Sequence, residues 1–200
     1  MGSSDSATDD RRAADAVDLA KHWFALAVAD DLAMLTQALQ VAKRRLEAAK
    51  AVMKRTPSPY AAFLQTLLGG LADPRPPIRF ECAHALDQFG DARCRPLLAA
   101  LLGDPVPRVR WMAMHALSCH ACGEETVSDE PAVKAAIARA ALEDPSIQVR
   151  RHATTALGLN GGAEAAAVLR TLLACETDVT LRRNAVQALR RSEPVQAAAT

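Results

Sequence analysis

The segment richest in reactive side chains is Cys119-His120-Ala121-Cys122, with His115 one helical turn ahead of Cys119. Thiolates and imidazoles are the donor types of a tetrahedral zinc site, but a single Cys-x-x-Cys with no second paired motif is a weak signal. His120, directly beside Cys119, is placed to point away from a metal held there. The set Cys119, Cys122, His115 and His120 is therefore not favoured as a metal centre, and no cofactor is expected. A redox dithiol is disfavoured too, because the pair follows a helix C-terminus and precedes Glu124 and Glu125, and both influences oppose a thiolate. The chain has no Gly-rich phosphate loop, Gly161-Gly162 reads as a turn, and Ser, His and Asp occur as scattered residues. No catalytic residue is assigned and a non-enzymatic protein is expected.

The elements around this segment repeat. Asp73-Pro74 leads to Arg79 and Ala85-Leu86, Asp104-Pro105 to Arg110 and Ala116-Leu117, Asp144-Pro145 to Arg150 and Ala156-Leu157. A fourth copy runs from Glu176, without a proline, to Arg182 and Ala188-Leu189. The arginines recur at steps of 31, 40 and 32 residues, the middle one stretched by an insertion, and a period of that size indicates stacked helical repeats. Each acid reads as the N-cap of a helix with proline in its first turn. Apolar residues then follow at helical spacing, as in Ile78, Cys82, Ala85, Leu86 and Phe89. Another apolar run precedes each copy, for example Phe63, Leu64, Leu67, Leu68 and Leu71, so each repeat reads as a helix pair.

The phrase Asp-Pro, then Val/Ile-Arg, then Ala-Leu, over about residues 60–191, resembles the HEAT repeat in its short, bacterial, phycobilisome-lyase-like form. The resemblance implies an all-α, right-handed α-solenoid of about four helix pairs, here preceded by an N-terminal helical hairpin. It also implies that Asp73, Arg79, Asp104, Arg110, Asp144, Arg150, Glu176 and Arg182 form an inter-repeat ladder and belong to the structure. The expected division is a disordered start at 1–8, a hairpin at 9–56, repeats at 57–90, 91–119, 120–160 and 161–191, and a disordered tail at 192–200.

Offsets seven, eleven and fourteen from each acid lie opposite the apolar stripe. In HEAT-like solenoids that face lines a concave groove, which implies a partner-binding set of Phe80, His84, Asp87, Trp111, Met112, His115, Arg151, His152, Thr155, Arg183, Gln187 and Arg190. One end is aromatic, through Phe80 and Trp111, and the other cationic, through Arg151, Arg183, Arg190 and Arg191, with guanidinium forks suited to carboxylates or phosphates.

In the hairpin, Leu32, Leu39, Leu46 and Met53 recur every seven residues, a seam that wants a helical neighbour. Trp23, Phe24 and Leu26 are expected to cover it and cap the first repeat, with homodimerisation through the hairpin as the other possibility. Lys43, Arg44, Arg45, Lys50, Lys54 and Arg55 read as a solvated face. Five cysteines are an odd count, with Cys82 and Cys175 at or beside core positions, so reduced thiols are expected. The N-terminus fits a myristoylation pattern but lacks a basic second signal, and no apolar run reaches membrane-spanning length. A cytoplasmic location is expected.

Lysine and arginine total 24 against 23 acids, so a net charge of +1 supplies no long-range field for a polyanion. The reading is a protein-protein interaction module, adaptor, scaffold or chaperone-like, whose groove takes an amphipathic, acidic peptide or helix. Nucleic-acid binding through Arg151, Arg183, Arg190 and Lys134, as in glycosylase-like relatives, is the alternative. A bilin lyase-like protein using the histidines is a lesser one.

Overall fold

The computed structural model describes residues 4–41, 46–120 and 128–192. Among them there are helices and no strands: α1 (Ser4–Val28), α2 (Leu32–Val41), α3 (Leu46–Lys54), α4 (Pro57–Gly70), α5 (Pro76–Phe89), α6 (Arg95–Ala100), α7 (Pro107–Ala116), α8 (Pro131–Glu143), α9 (Ile147–Asn160), α10 (Gly162–Cys175) and α11 (Val179–Ser192). They form two compact units, residues 1–90 and 91–200. Helix α1 begins at Ser4, ahead of the expected Asp9 and inside the segment expected to be a disordered start. Ser192, the first residue of the expected tail, closes α11 and is buried.

The repeated phrase folds differently from the expected N-cap. The N-cap residues are Arg75, Val106 and Ser146, two positions after each aspartate. The proline that follows each aspartate has no N–H, so the carboxylate bonds the next one along. Asp73, Asp104 and Asp144 each accept from the N–H two residues on at 2.8 Å, and Glu176 accepts from Asp178 at the same distance. The acid thus closes a turn that aims the chain into the second helix. The arginine six residues later ties that turn down, its Nη1 donating to the acid's own carbonyl at 2.9, 2.8, 3.1 and 2.8 Å in Arg79, Arg110, Arg150 and Arg182.

In the first unit α1 packs on α2, α3 and α4, and α2 on α5. Trp23 meets Phe89 edge-on at 5.4 Å between ring centroids, Phe89 meets Phe63 at 5.6 Å, and Phe63 meets Phe24 at 6.0 Å. Each such pair adds about 0.5–1.5 kcal/mol beyond its burial. A Cβ at Gly70 would collide with Cys82 Sγ and the Leu32 side chain, so glycine sets the approach of α4 to α5 and α2. Lys50 Nζ donates to Gln88 Oε1 at 2.8 Å and Tyr60 Oη to the Phe89 carbonyl at 2.6 Å. Leu35, Leu39, Ala49 and Met53 are all buried within the chain. These seam side chains lie where α1 packs on α2 and α3, in line with a seam covered from within the chain. Residues 42–45, with three of the basic side chains expected on that face, lie outside the described residues.

In the second unit each pair stacks on the next, α7 on α9 and α9 on α11. At Gly158 α9 and α11 come close enough that a Cβ would sit 2.7 Å from Ala188 Cα. Arg110 reaches across to the acid of the following repeat, Nε and Nη2 each 2.8 Å from Asp144. Arg150 Nη2 reaches Glu176 at 3.4 Å.

Candidate functional site

Trp111 stands one turn into α7 and His115 one turn further on, and the stacking of α9 beside α7 brings His152 over the indole. The two rings are nearly parallel, 4.4 Å between centroids and 11° between planes, and both side chains are half-buried. Burial, and then the nearby His115, hold His152 below the ordinary imidazole pKa. The neutral ring is therefore the favoured form in the stack.

Arg151, the preceding residue, turns away to Asp178, Nη2 lying 3.2 Å from both carboxylate oxygens, while its buried Nε has no hydrogen-bond partner among the described residues. Asp178 also accepts the Leu181 N–H at 2.7 Å at the start of α11, and that bond, followed by the one from Arg151, keeps its carboxyl below the usual range. The sequence reading missed Asp178 because nothing in the local pattern marks an acid two residues past Glu176 as the partner of an arginine 27 residues earlier. On α11, Arg183, Gln187 and Arg190 are exposed.

The expected groove set does not survive whole. Phe80 is 7% exposed, Met112 2% and Asp87 1%, which places these three in the interior instead of on a binding face. For Met112, in the second unit, the physical reason is lateral stacking: each second helix there packs against the second helix of the next repeat. In the second unit position fourteen is buried as Ser118, just past the end of α7, and as Gly158 in α9, while in α11, as Arg190, it is exposed. Phe80 contacts His84 within α5, ring centroids 6.1 Å apart, and His84 Nδ1 lies 3.7 Å from Glu81. His84, Trp111, His115, Arg151 and His152 are partly accessible, and Thr155 is exposed.

Cys119 is buried and His120 exposed, while Cys122 lies outside the described residues. Among the described residues no group of three metal-ligating side chains comes together. Burial pushes the Cys82 thiol up to about 12 and raises that of Cys94. Cys175, expected at or beside the core, is exposed at the end of α10, its Sγ donating to the Thr171 carbonyl.

A cleft of about 640 Å³ opens between α8 and the α9–α10 turn, where Gly161 and Gly162 take positive φ of 62° and 90°. Its one lysine, Lys134, is held 3.0 Å from Asp129, so the walls offer little beyond apolar side chains, Asn160 and Glu164. No described helix is long and apolar enough to cross a membrane.

Residues 61–141 and 133–200 match the family model of HEAT repeats. No curated protein matches the sequence. The match spans the helix pairs whose turn-closing acids and cross-repeat arginines are described above, and the chain belongs to the HEAT-repeat family.

Proposed function

We propose that this chain is a non-enzymatic protein-protein interaction module that takes a segment of another protein on the exposed second-helix side chains of its second unit. HEAT repeats generally mediate protein-protein contacts, which gives the reading its starting point. The observation that carries it is the half-buried Trp111–His152 stack, a flat apolar and polarisable platform presented by two successive second helices. The cationic side chains of α11 follow on the next second helix and favour an acidic segment. Helices α1–α3 act as the cap of the α4–α5 pair.

The test is affinity capture, with and without nuclease, with the wild type and Trp111→Ala/His152→Ala compared at equal folded concentration. A protein retained by the wild type and lost from the variant supports the reading. Equal retention by both removes the stack from the binding surface. Capture that disappears with nuclease assigns the arginines to nucleic acid, a reading against which the net charge of +1 weighs.

A further inference from the structure

We propose that the outward stripe of α11, formed by Val179, Arg183, Val186 and Arg190, is a docking edge for an acidic amphipathic helix of another protein lying alongside α11. This rests on the interaction-module reading above and names the class of partner.

The stripe occupies positions three, seven, ten and fourteen after the turn-closing acid. On α9 the last two of these, Thr154 and Gly158, are buried, and Gly158 abuts Ala188 of α11. Ser192 Oγ, 3.5 Å from the Leu157 carbonyl, ties the ends of the same two helices together. In the α7 repeat the equivalent Met114 and Ser118, the latter just past the helix end, are 1% and 2% exposed. On α11 these positions are open, with Val186 39% and Val179 80% exposed and Arg190 in solvent. Among the described residues, the edge on which a second helix in this unit receives its neighbour is thus uncovered on α11, with two apolar side chains on it.

Its chemistry selects the occupant. From Val179 to Ser192 the helix carries four arginines and no acid. Arg182 is taken up by the Leu173 and Glu176 carbonyls, whereas Arg183 and Arg190 form no ion pair or hydrogen bond among the described residues. Arg183 and Arg190 are two turns apart, about 10 Å along the axis, with Val186 between them. A helix with carboxylates seven residues apart and an apolar side chain between them matches that pattern. Arg190 stands where α9 has Gly158, so a further repeat could not approach as closely as α11 approaches α9. A second copy of α11 would set arginine against arginine with no acid to answer it.

The probe is a fluorescent amphipathic peptide of leucine and glutamate, with carboxylates seven residues apart, compared with the same peptide carrying lysine for glutamate. Binding to the full chain is followed by anisotropy at low and high salt, with folding of each variant checked by circular dichroism. The glutamate peptide is expected to bind and to weaken with salt. It should lose about tenfold in affinity to Arg183→Glu/Arg190→Glu, and several-fold to Val179→Ser/Val186→Ser. Arg139→Glu, an exposed charge change on α8, should bind as the wild type does. No binding of the glutamate peptide, or binding indifferent to both stripe variants, overturns the proposal. Tighter binding of a DNA duplex or of phosphatidylserine vesicles, lost in the same arginine variant, overturns it in favour of phosphate. Self-association abolished by that variant overturns it in favour of a second copy. If a protein captured through Trp111 and His152 is held equally by the arginine variant, the α11 edge fails while the interaction-module reading stands.

Discussion

Arg110 grips Asp144 with both Nε and Nη2 at 2.8 Å, joining two consecutive repeats across 34 residues of chain. The side chains are 11% and 9% exposed, and Asp144 at the same time accepts the Ser146 N–H that closes the turn before α9. One carboxylate thus fixes both a turn within its own repeat and the spacing to the previous one.

Removing either partner strands the other in a nearly dry site. Arg110→Ala and Asp144→Ala are each expected to cost about 3–5 kcal/mol in chemical denaturation, with the double variant costing well below the sum of the two. Additive losses would show that the pair does not act as a unit.

Phe80 and Trp111 share a register position but not an environment. Phe80→Ala should lose about 3–5 kcal/mol by leaving a cavity. Trp111→Ala removes a half-buried ring and should lose less. Equal losses would place both rings in the same environment, contrary to their exposure.

Gly158→Ala places a methyl group 2.7 Å from the Ala188 backbone, which must move to admit it. A loss of about 1–3 kcal/mol is expected, partly recovered when Ala188→Gly is added. No recovery would assign the strain to the Ala188 backbone and not to its methyl group.

Because burial and His115 lower the pKa of His152 on folding, the unfolded chain binds more protons as pH falls below the ordinary 6.5. The contribution of this imidazole is therefore present above that value and is lost as pH drops toward the folded pKa. Melting of the wild type from about pH 7.5 to about pH 5 should fall more steeply than melting of His152→Gln. Parallel curves would remove His152 from the pH dependence.

In the native protein a thiol reagent should modify the exposed Cys175 well before Cys82, whose buried thiol is pushed up to about 12. Mass spectrometry of briefly alkylated protein gives the order. Early labelling of Cys82 would mean that α5 opens readily.

The fold class was legible in the sequence because it follows from local chemistry repeated at fixed intervals. Proline after an acid, an arginine six residues on and an apolar stripe at helical spacing together specify a helix pair, and repetition specifies stacking. The heptad seam of α2 and α3 likewise called for a neighbour, and of Trp23, Phe24 and Leu26, expected to cover it, the two aromatic side chains are buried. What local pattern does not encode is which side of a second helix remains uncovered once its neighbour arrives. Phe80, Asp87 and Met112 were expected on a binding face because a helical wheel knows only its own axis. The approach of α9 to α7 and of α11 to α9, close enough to require glycine at 158, is a property of the stack. The same packing laid His152 on Trp111, gave Arg151 to Asp178, and left Arg183 and Arg190 in solvent on α11. The sequence by itself determined the helices and their order, through periodicities that act over a few residues. Only the tertiary structure decided which side chains face a partner, because exposure depends on contacts between residues tens of positions apart.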